Sequence, residues 1–246
     1  CVVRTDLVRS AGAFDERLTT CEDWDLWLRV TRYGRPFAAI QAVLALYRMR
    51  PRSASLDAPR LLADGLGVIA QARRPDPRVQ GPVAHERGLA SDDLAVNGLN
   101  HACWTAGLAI GSGVDPEPLL DAVRSTAPIP VEPLVMAGCL FASTVLPRCL
   151  TPADWTGLAD ELRDPIDSFL TSAEEVARLP GLASRVWRRL EEKILAASPR
   201  GVATRIGTSA ALDIEVTEPL ADIEVADGVE RLVCRIALEG EPFGVL

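Results

Sequence analysis

The stretch Gly12-Ala13-Phe14-Asp15-Glu16-Arg17-Leu18-Thr19-Thr20-Cys21-Glu22-Asp23-Trp24-Asp25-Leu26-Trp27-Leu28-Arg29 decides how this chain is read. Trp24, Trp27 and Leu28 share one face at helical spacing, and Leu26, Val30 and Tyr33 widen the stripe, which predicts a helix over residues 20–33. Gly34 is placed to end that helix from the C′ position, with Pro36 close behind. Glu22, Asp23 and Asp25 crowd the first turn, where free N–H groups and the helix dipole favour carboxylates. Thr20 and Asp23 have the spacing of a capping box, and Asp25 and Arg29 that of an i,i+4 ion pair. Two readings of these acids stand side by side: they cap and solvate a helix, or one of them, held ionised at a helix start and facing a cleft, is a general base. Trp24 and Trp27 could likewise offer stacking surfaces to a ring, although their helical spacing favours core packing.

Outward from this block, residues 1–57 mix short apolar runs with charges. Residues 1–4 are expected to be a strand end, 7–10 a short helix, and 36–40 and 43–49 strands, which makes this part α/β. Residues 58–200 carry period-3.6 patches over 61–73, 83–110, 118–125, 131–146, 153–162, 165–179 and 182–197, so a helical domain is expected. Its joints are marked by Pro75-Asp76-Pro77, Gly111-Ser112-Gly113, Pro128-Ile129-Pro130 and Pro180-Gly181, which points to short helices packed at angles. From Ala210 the period becomes two: Leu212, Ile214 and Val216 alternate with Asp213, Glu215 and Thr217. Asp227-Gly228 offers a turn before a second alternating run, 231–238. Residues 201–246 thus read as the start of a β-rich segment.

Composition bounds the function classes. The chain has 246 residues, 48% of them apolar and 24% charged, enough to bury a real core and unlike a disordered or collagen-like chain. A net charge of −8 argues against nucleic acid or an anionic membrane as the main partner, since a phosphate backbone needs clustered cations. The six cysteines lie far apart with no Cys-x-x-Cys, which suits reduced thiols buried as small hydrophobes better than a disulfide framework or a zinc site. The longest mostly apolar stretch, 134–146, falls well short of the roughly 20 residues a bilayer requires. No secretory signal is visible, and the abrupt apolar ends suggest a piece of a longer protein.

Weaker motifs give little. His85-Glu86 lacks the second histidine of a zinc helix, and His101 near Cys103 reads as a satisfied helix histidine. Gly111-Ser112-Gly113 lacks the Lys-Ser/Thr of a phosphate loop, and Ser53 and Ser55 have no neighbouring histidine in sequence to activate them.

Taken in order, Gly12, Phe14, Asp15, Glu22, Asp23, Asp25, Leu26, Leu28 and Arg29 resemble the second half of the catalytic domain of family 2 glycosyltransferases, with its Gly-Gly-Phe-Asp-like turn followed by Glu-Asp-x-Asp-Leu-x-Leu-Arg. The resemblance covers the first 57 residues, with Ala13 in place of the second glycine. It implies the second half of a GT-A fold, a nucleotide-sugar donor, a saccharide or lipid-linked acceptor, and transfer with inversion. It maps the catalytic base onto Asp23 and acceptor binding onto Phe14, Asp15, Glu22 and Trp24. It also implies a divalent metal, Mg or Mn, whose ligands would lie mostly outside these residues. In the segment 47–55 an arginine, Arg50, stands where many members carry a metal-binding histidine. Arginine has no acceptor to ligate a cation, so Arg48 and Arg50 are expected instead to clamp the donor diphosphate, unless they form a solvated basic loop. The nucleotide-binding half, with the Asp-x-Asp metal motif that precedes this point in the family, is not among these residues, so the chain alone is expected to lack donor binding and turnover. Family habit places such an enzyme in the bacterial cytoplasm or at the inner face of its membrane. The alternative reading is a non-catalytic helical interaction module carrying a degenerate glycosyltransferase remnant.

Overall fold

The computed structural model describes residues 1–42, 44, 50, 53–89, 94–219 and 222–246. Seven α-helices precede one small sheet, so helix and strand are mixed along the described chain. The helices are α1 (Thr5–Ser10), α2 (Glu22–Thr31), α3 (Ala58–Ala72), α4 (Leu94–Gly111), α5 (Pro133–Ser143), α6 (Arg163–Ala177) and α7 (Leu182–Ala197). The strands are β1 (Arg205–Ile206), β2 (Ser209–Glu215), β3 (Arg231–Leu238) and β4 (Glu241–Val245).

The decisive stretch does form a helix, and Gly34 follows it at φ +62°. Its start differs from the expected capping box. Cys21 sits at the N-cap in the left-handed region, φ 58°, and no side chain caps the helix. Thr20 turns away instead, its N–H and hydroxyl both donating to Asp64 of α3 at 3.1 and 2.9 Å. Asp64 also accepts from Arg60, so α3 ties down the loop that launches α2. The expected Asp25–Arg29 pair is present at 2.7 Å. Leu26 and Val30 pack with Ala11 into a small apolar cluster against Leu7, Val8, Trp27 and Tyr33.

Residues 1–4 and 36–40 are not strands. An extended segment becomes a strand only where a neighbour takes its backbone groups, and no partner lies alongside these among the described residues. Val2, Phe37 and Ile40 are accordingly exposed. Of the third expected strand, residues 43 and 45–49 lie outside the described residues.

The helical region follows its periodicity with three differences. Of the helix expected over 83–110, residues 94–110 are helical, whereas residues 83–89 wrap the C-terminal end of α2: the N–H groups of Val83 and Ala84 both donate to the Arg32 carbonyl. The buried Arg32 guanidinium answers by donating to the carbonyls of His85, Ala72 and Arg74. The segments expected as helices over 118–125 and 153–162 are instead 3₁₀ turns, Glu117–Val123 and Pro152–Gly157, the second closed by a Thr151–Asp154 capping box. Short 3₁₀ turns also occur at Ala54–Leu56 and Leu146–Arg148.

The main core runs from α3 to the sheet. In α7, Leu182, Val186, Leu190 and Ile194 are buried at i,i+4 spacing against α5 and α6, each worth roughly 1.5–3 kcal/mol of transfer from water. Glu174 of α6 accepts the Gly181 and Ala183 N–H groups, both at 2.9 Å, and so caps α7 from its neighbour. Of the six cysteines, which are all free, only Cys103 is fully buried, while Cys1 and Cys149 are exposed; the expectation of six buried thiols is corrected. No described helix is long and apolar enough to cross a membrane.

The strands lie in the order β1-β2-β3-β4, with β2 and β3 parallel and the outer pairs antiparallel. The turn at Asp227-Gly228 exists, with Gly228 at φ +74°, but it ends the long return from β2 rather than closing a two-strand hairpin. Arg235 of β3 is buried and reaches the C-terminal end of α7, donating to the Ser198 carbonyl at 2.5 Å while paired with Asp213 at 2.8 Å. A cation there complements the helix dipole. Ile206 and Val233 join the main helical core, so helices and sheet share one apolar interior.

Candidate functional site

The acidic block at the start of α2 divides into two sets. Asp25 and Arg29 are buried, and both belong to an ion network with the loop after α3. Arg78 donates to Asp25, Asp15 and Asp76 at 2.9, 2.9 and 2.7 Å. Arg29 also donates to the Ala11 carbonyl, which fixes the turn ahead of the block. These acids therefore hold α2 to its surroundings.

Asp15 belongs to this structural set as well. Arg17 donates to both of its oxygens and Arg78 to one, and these hydrogen bonds, chiefly those from Arg17, hold its carboxyl well below the usual range. Asp76 is lowered too: burial opposes its ionisation, and the hydrogen bonds from Arg78 outweigh that penalty.

Glu22 and Asp23 form the other set. Both line a cleft of about 720 Å³ formed by the start of α2 and the turn Ala54–Leu56, whose lining also includes Ser53, Ser55 and Trp104. Asp23 is exposed; its Oδ1 accepts only the Trp24 N–H of its own helix, at 2.7 Å, and no cation pairs with it among the described residues. Its second oxygen has no partner among the described residues and is open to the hydroxyl of a bound molecule. The Ser53 and Ser55 hydroxyls in the same lining lie 3.0 Å apart. The Cys21 thiol beside them is pushed up to about 11 by burial, with the nearby acids adding to the effect, so it stays protonated at neutral pH and is no nucleophile.

Trp24 is half-buried and lines this cleft and also a second one, so it is neither wholly core nor wholly free. Trp27 sits edge-on to Phe37 at 6.4 Å between centroids. Of the other expected site residues, Phe14 is 53% exposed and does not line the Asp23 cleft, and neither does Asp15, which faces a separate cleft with Arg17, Asp25 and Arg78. Arg48 lies outside the described residues. Arg50 is exposed, its carbonyl accepting the Ser53 N–H at 3.1 Å, and it does not line the cleft either. The structure thus brings together Glu22, Asp23 and Trp24 of the predicted set.

Trp104 and Arg78 escaped sequence reasoning. Arg78 follows the Pro75-Asp76-Pro77 joint, whose aspartate between two prolines was the available signal of a fixed loop; Trp104 had no signal beyond its place on an apolar helix. Among the described residues no three His, Cys, Asp or Glu side chains come together as a metal site. No family model matches this chain, and no curated protein or solved structure matches it either.

Proposed function

We propose that this chain is the acceptor side of an inverting glycosyltransferase resembling family 2, with Asp23 as general base and Glu22 and Trp24 beside it on the acceptor wall. The observation that carries the reading is the division among the acids: Asp15 and Asp25 are locked by arginines, whereas Asp23, at a helix start on a cleft, pairs with no cation among the described residues. In the reaction, Asp23 takes the proton of an acceptor hydroxyl, and that oxygen attacks the anomeric carbon of a nucleotide sugar. The carbon–oxygen bond to the diphosphate breaks with its electron pair leaving on phosphate, and configuration inverts. The donor would be held by residues other than those described. This reading places the enzyme where nucleotide sugars are made, in the bacterial cytoplasm or at the inner membrane face.

The test is sugar transfer by the full gene product, with nucleotide-sugar binding measured alongside. Asp23→Asn should lower kcat by about 10²–10⁴-fold, the usual share of a positioned base, and leave donor affinity within a few-fold. Unchanged turnover sinks the assignment. The second reading, an interaction module with a degenerate remnant, draws on the missing strands at 1–4 and 36–40 and the apolar residues exposed there. It predicts no transfer by the full gene product with any nucleotide sugar.

A further inference from the structure

A second cleft, of about 400 Å³, lies between α2, α3, α4 and α5 and shares only the walls Trp24 and Trp104 with the Asp23 cleft. Apolar and aromatic groups dominate it, among them Leu28 and Ile69, and this is the size and character of a small-molecule site. Its polar groups are unusual. Asn100 lines it, and the Asn100 Oδ1 atom is buried with no hydrogen-bond partner among the described residues. An acceptor left in that state is costly, so it is a place where a ligand's donor gains more than it would from water.

His101 supplies a second acceptor. Its Nε2 lies 2.9 Å from the Leu61 carbonyl, which can only accept, so Nε2 carries the hydrogen. Burial lowers its pKa, the Leu61 bond opposing, and the neutral ring therefore keeps a bare lone pair on Nδ1. The ring is fixed there by two contacts. Trp24 stands edge-on to it at 5.4 Å, and Gly65 leaves the room it occupies, since a Cβ at that position would lie 2.1 Å from Nε2. One charged side chain, Arg73, belongs to the lining.

We infer that this pocket binds a neutral small molecule with a ring of apolar faces and an O–H or N–H donor on its edge. The ring packs against Trp24, Trp104 and the aliphatic wall, and the donor goes to Asn100 Oδ1 or His101 Nδ1. Both acceptors call for a donor on the ligand, and a ring without one leaves Asn100 unsatisfied. The same chemistry is offered by an aromatic alcohol or amine and by a pyranose. The inference does not depend on the role of Asp23.

The test is titration of the whole chain, followed by the indole ¹H–¹⁵N resonances of its tryptophans, with phenol, indole, methyl β-glucopyranoside, toluene and benzoate. Saturable shifts of the Trp24 and Trp104 resonances are expected with phenol and indole or with the glucoside, with toluene binding about tenfold more weakly, the usual value of one buried hydrogen bond. Binding by the glucoside assigns the pocket to a sugar unit next to the Asp23 cleft; binding by the aromatics alone assigns it to an aryl ligand. Asn100→Leu should weaken the donor-bearing ligand about tenfold while leaving toluene unchanged, a contrast that loss of folding cannot mimic. Asp23→Asn should leave this binding unaltered, so that failure of the base assignment and failure of the pocket are separate results. The inference is overturned if nothing saturates, if toluene binds as well as phenol, or if benzoate binds more tightly than either.

Discussion

Replacing Arg78 by alanine removes the centre of the ion network that secures α2. Its guanidinium makes five hydrogen bonds of 2.7–3.1 Å: two each to Asp76 and Asp25 and one to Asp15. The side chain is 25% exposed, but the acids it serves are less so, with Asp76 at 2% and Asp25 at 7%. Summed at roughly 1.5–3 kcal/mol per charged hydrogen bond, the contacts would exceed any plausible net effect, because the desolvation of all four groups must be subtracted. What decides the outcome is the charge left behind. Asp25 keeps Arg29, whereas Asp76 loses its only ion-pair partner among the described residues while remaining buried. Breaking a buried pair in this way costs about 3–5 kcal/mol, a large part of the roughly 5–15 kcal/mol by which a domain is stable. Urea denaturation read by circular dichroism measures it as a fall in midpoint at constant slope. Arg17→Ala is the control: Arg17 also pairs with Asp15 but its side chain is 85% exposed, and such pairs contribute about 0–1 kcal/mol. A loss of under about 1 kcal/mol in Arg78→Ala would refute the reasoning, since it would equal that of the exposed pair.

The same network makes stability fall in acid. Asp15 and Asp76 are held below the ordinary carboxylate value of about 3.9, so their contribution is fully present above that value and is lost as pH falls through their lower, folded values. Denaturation midpoints should therefore be flat from neutral pH to about 5 and decline below about 4, less steeply in Arg78→Ala than in the parent. At the crossing of α4 and α5, a Cβ on Gly107 would lie 2.0 Å from Ser143 Oγ, both groups being buried; Gly107→Ala should cost about 1–3 kcal/mol in the same assay, and a neutral result would show that the crossing is looser than described.

Much of the fold was legible because its signals are local. The α7 stripe is set by burial on one face, and strands form on the alternating runs from Ala210 and over 231–238, the first ending at Glu215, two residues before the alternation does. What failed depends on partners. Residues 1–4 and 36–40 have strand-like composition but no neighbouring strand, and composition cannot supply one. Thr20 had the spacing to cap α2 but found Asp64, forty-four residues away, and the parallel pairing of β2 with β3 is equally non-local. At the site, spacing announced the Asp25–Arg29 pair, while only the resemblance set Asp23 apart from Asp15; in the structure Arg17, Arg29 and Arg78 separate the three acids, and Arg78 lies in another loop. His101 stands against Trp24 and Trp104 shares two clefts with it, neighbours that no spacing along the chain announces.

The proposed division, Asp23 chemical and Asp25 structural, is tested most directly by comparing Asp23→Asn with Asp25→Asn in the full gene product, recording sugar transfer and urea midpoint for each. The predicted result is a crossed pattern: Asp23→Asn loses about 10²–10⁴-fold in kcat with its midpoint unchanged. Asp25→Asn leaves Arg29 buried without a carboxylate and loses about 3–5 kcal/mol of stability. Full turnover in Asp23→Asn, or a midpoint in Asp25→Asn equal to that of the parent, would contradict it.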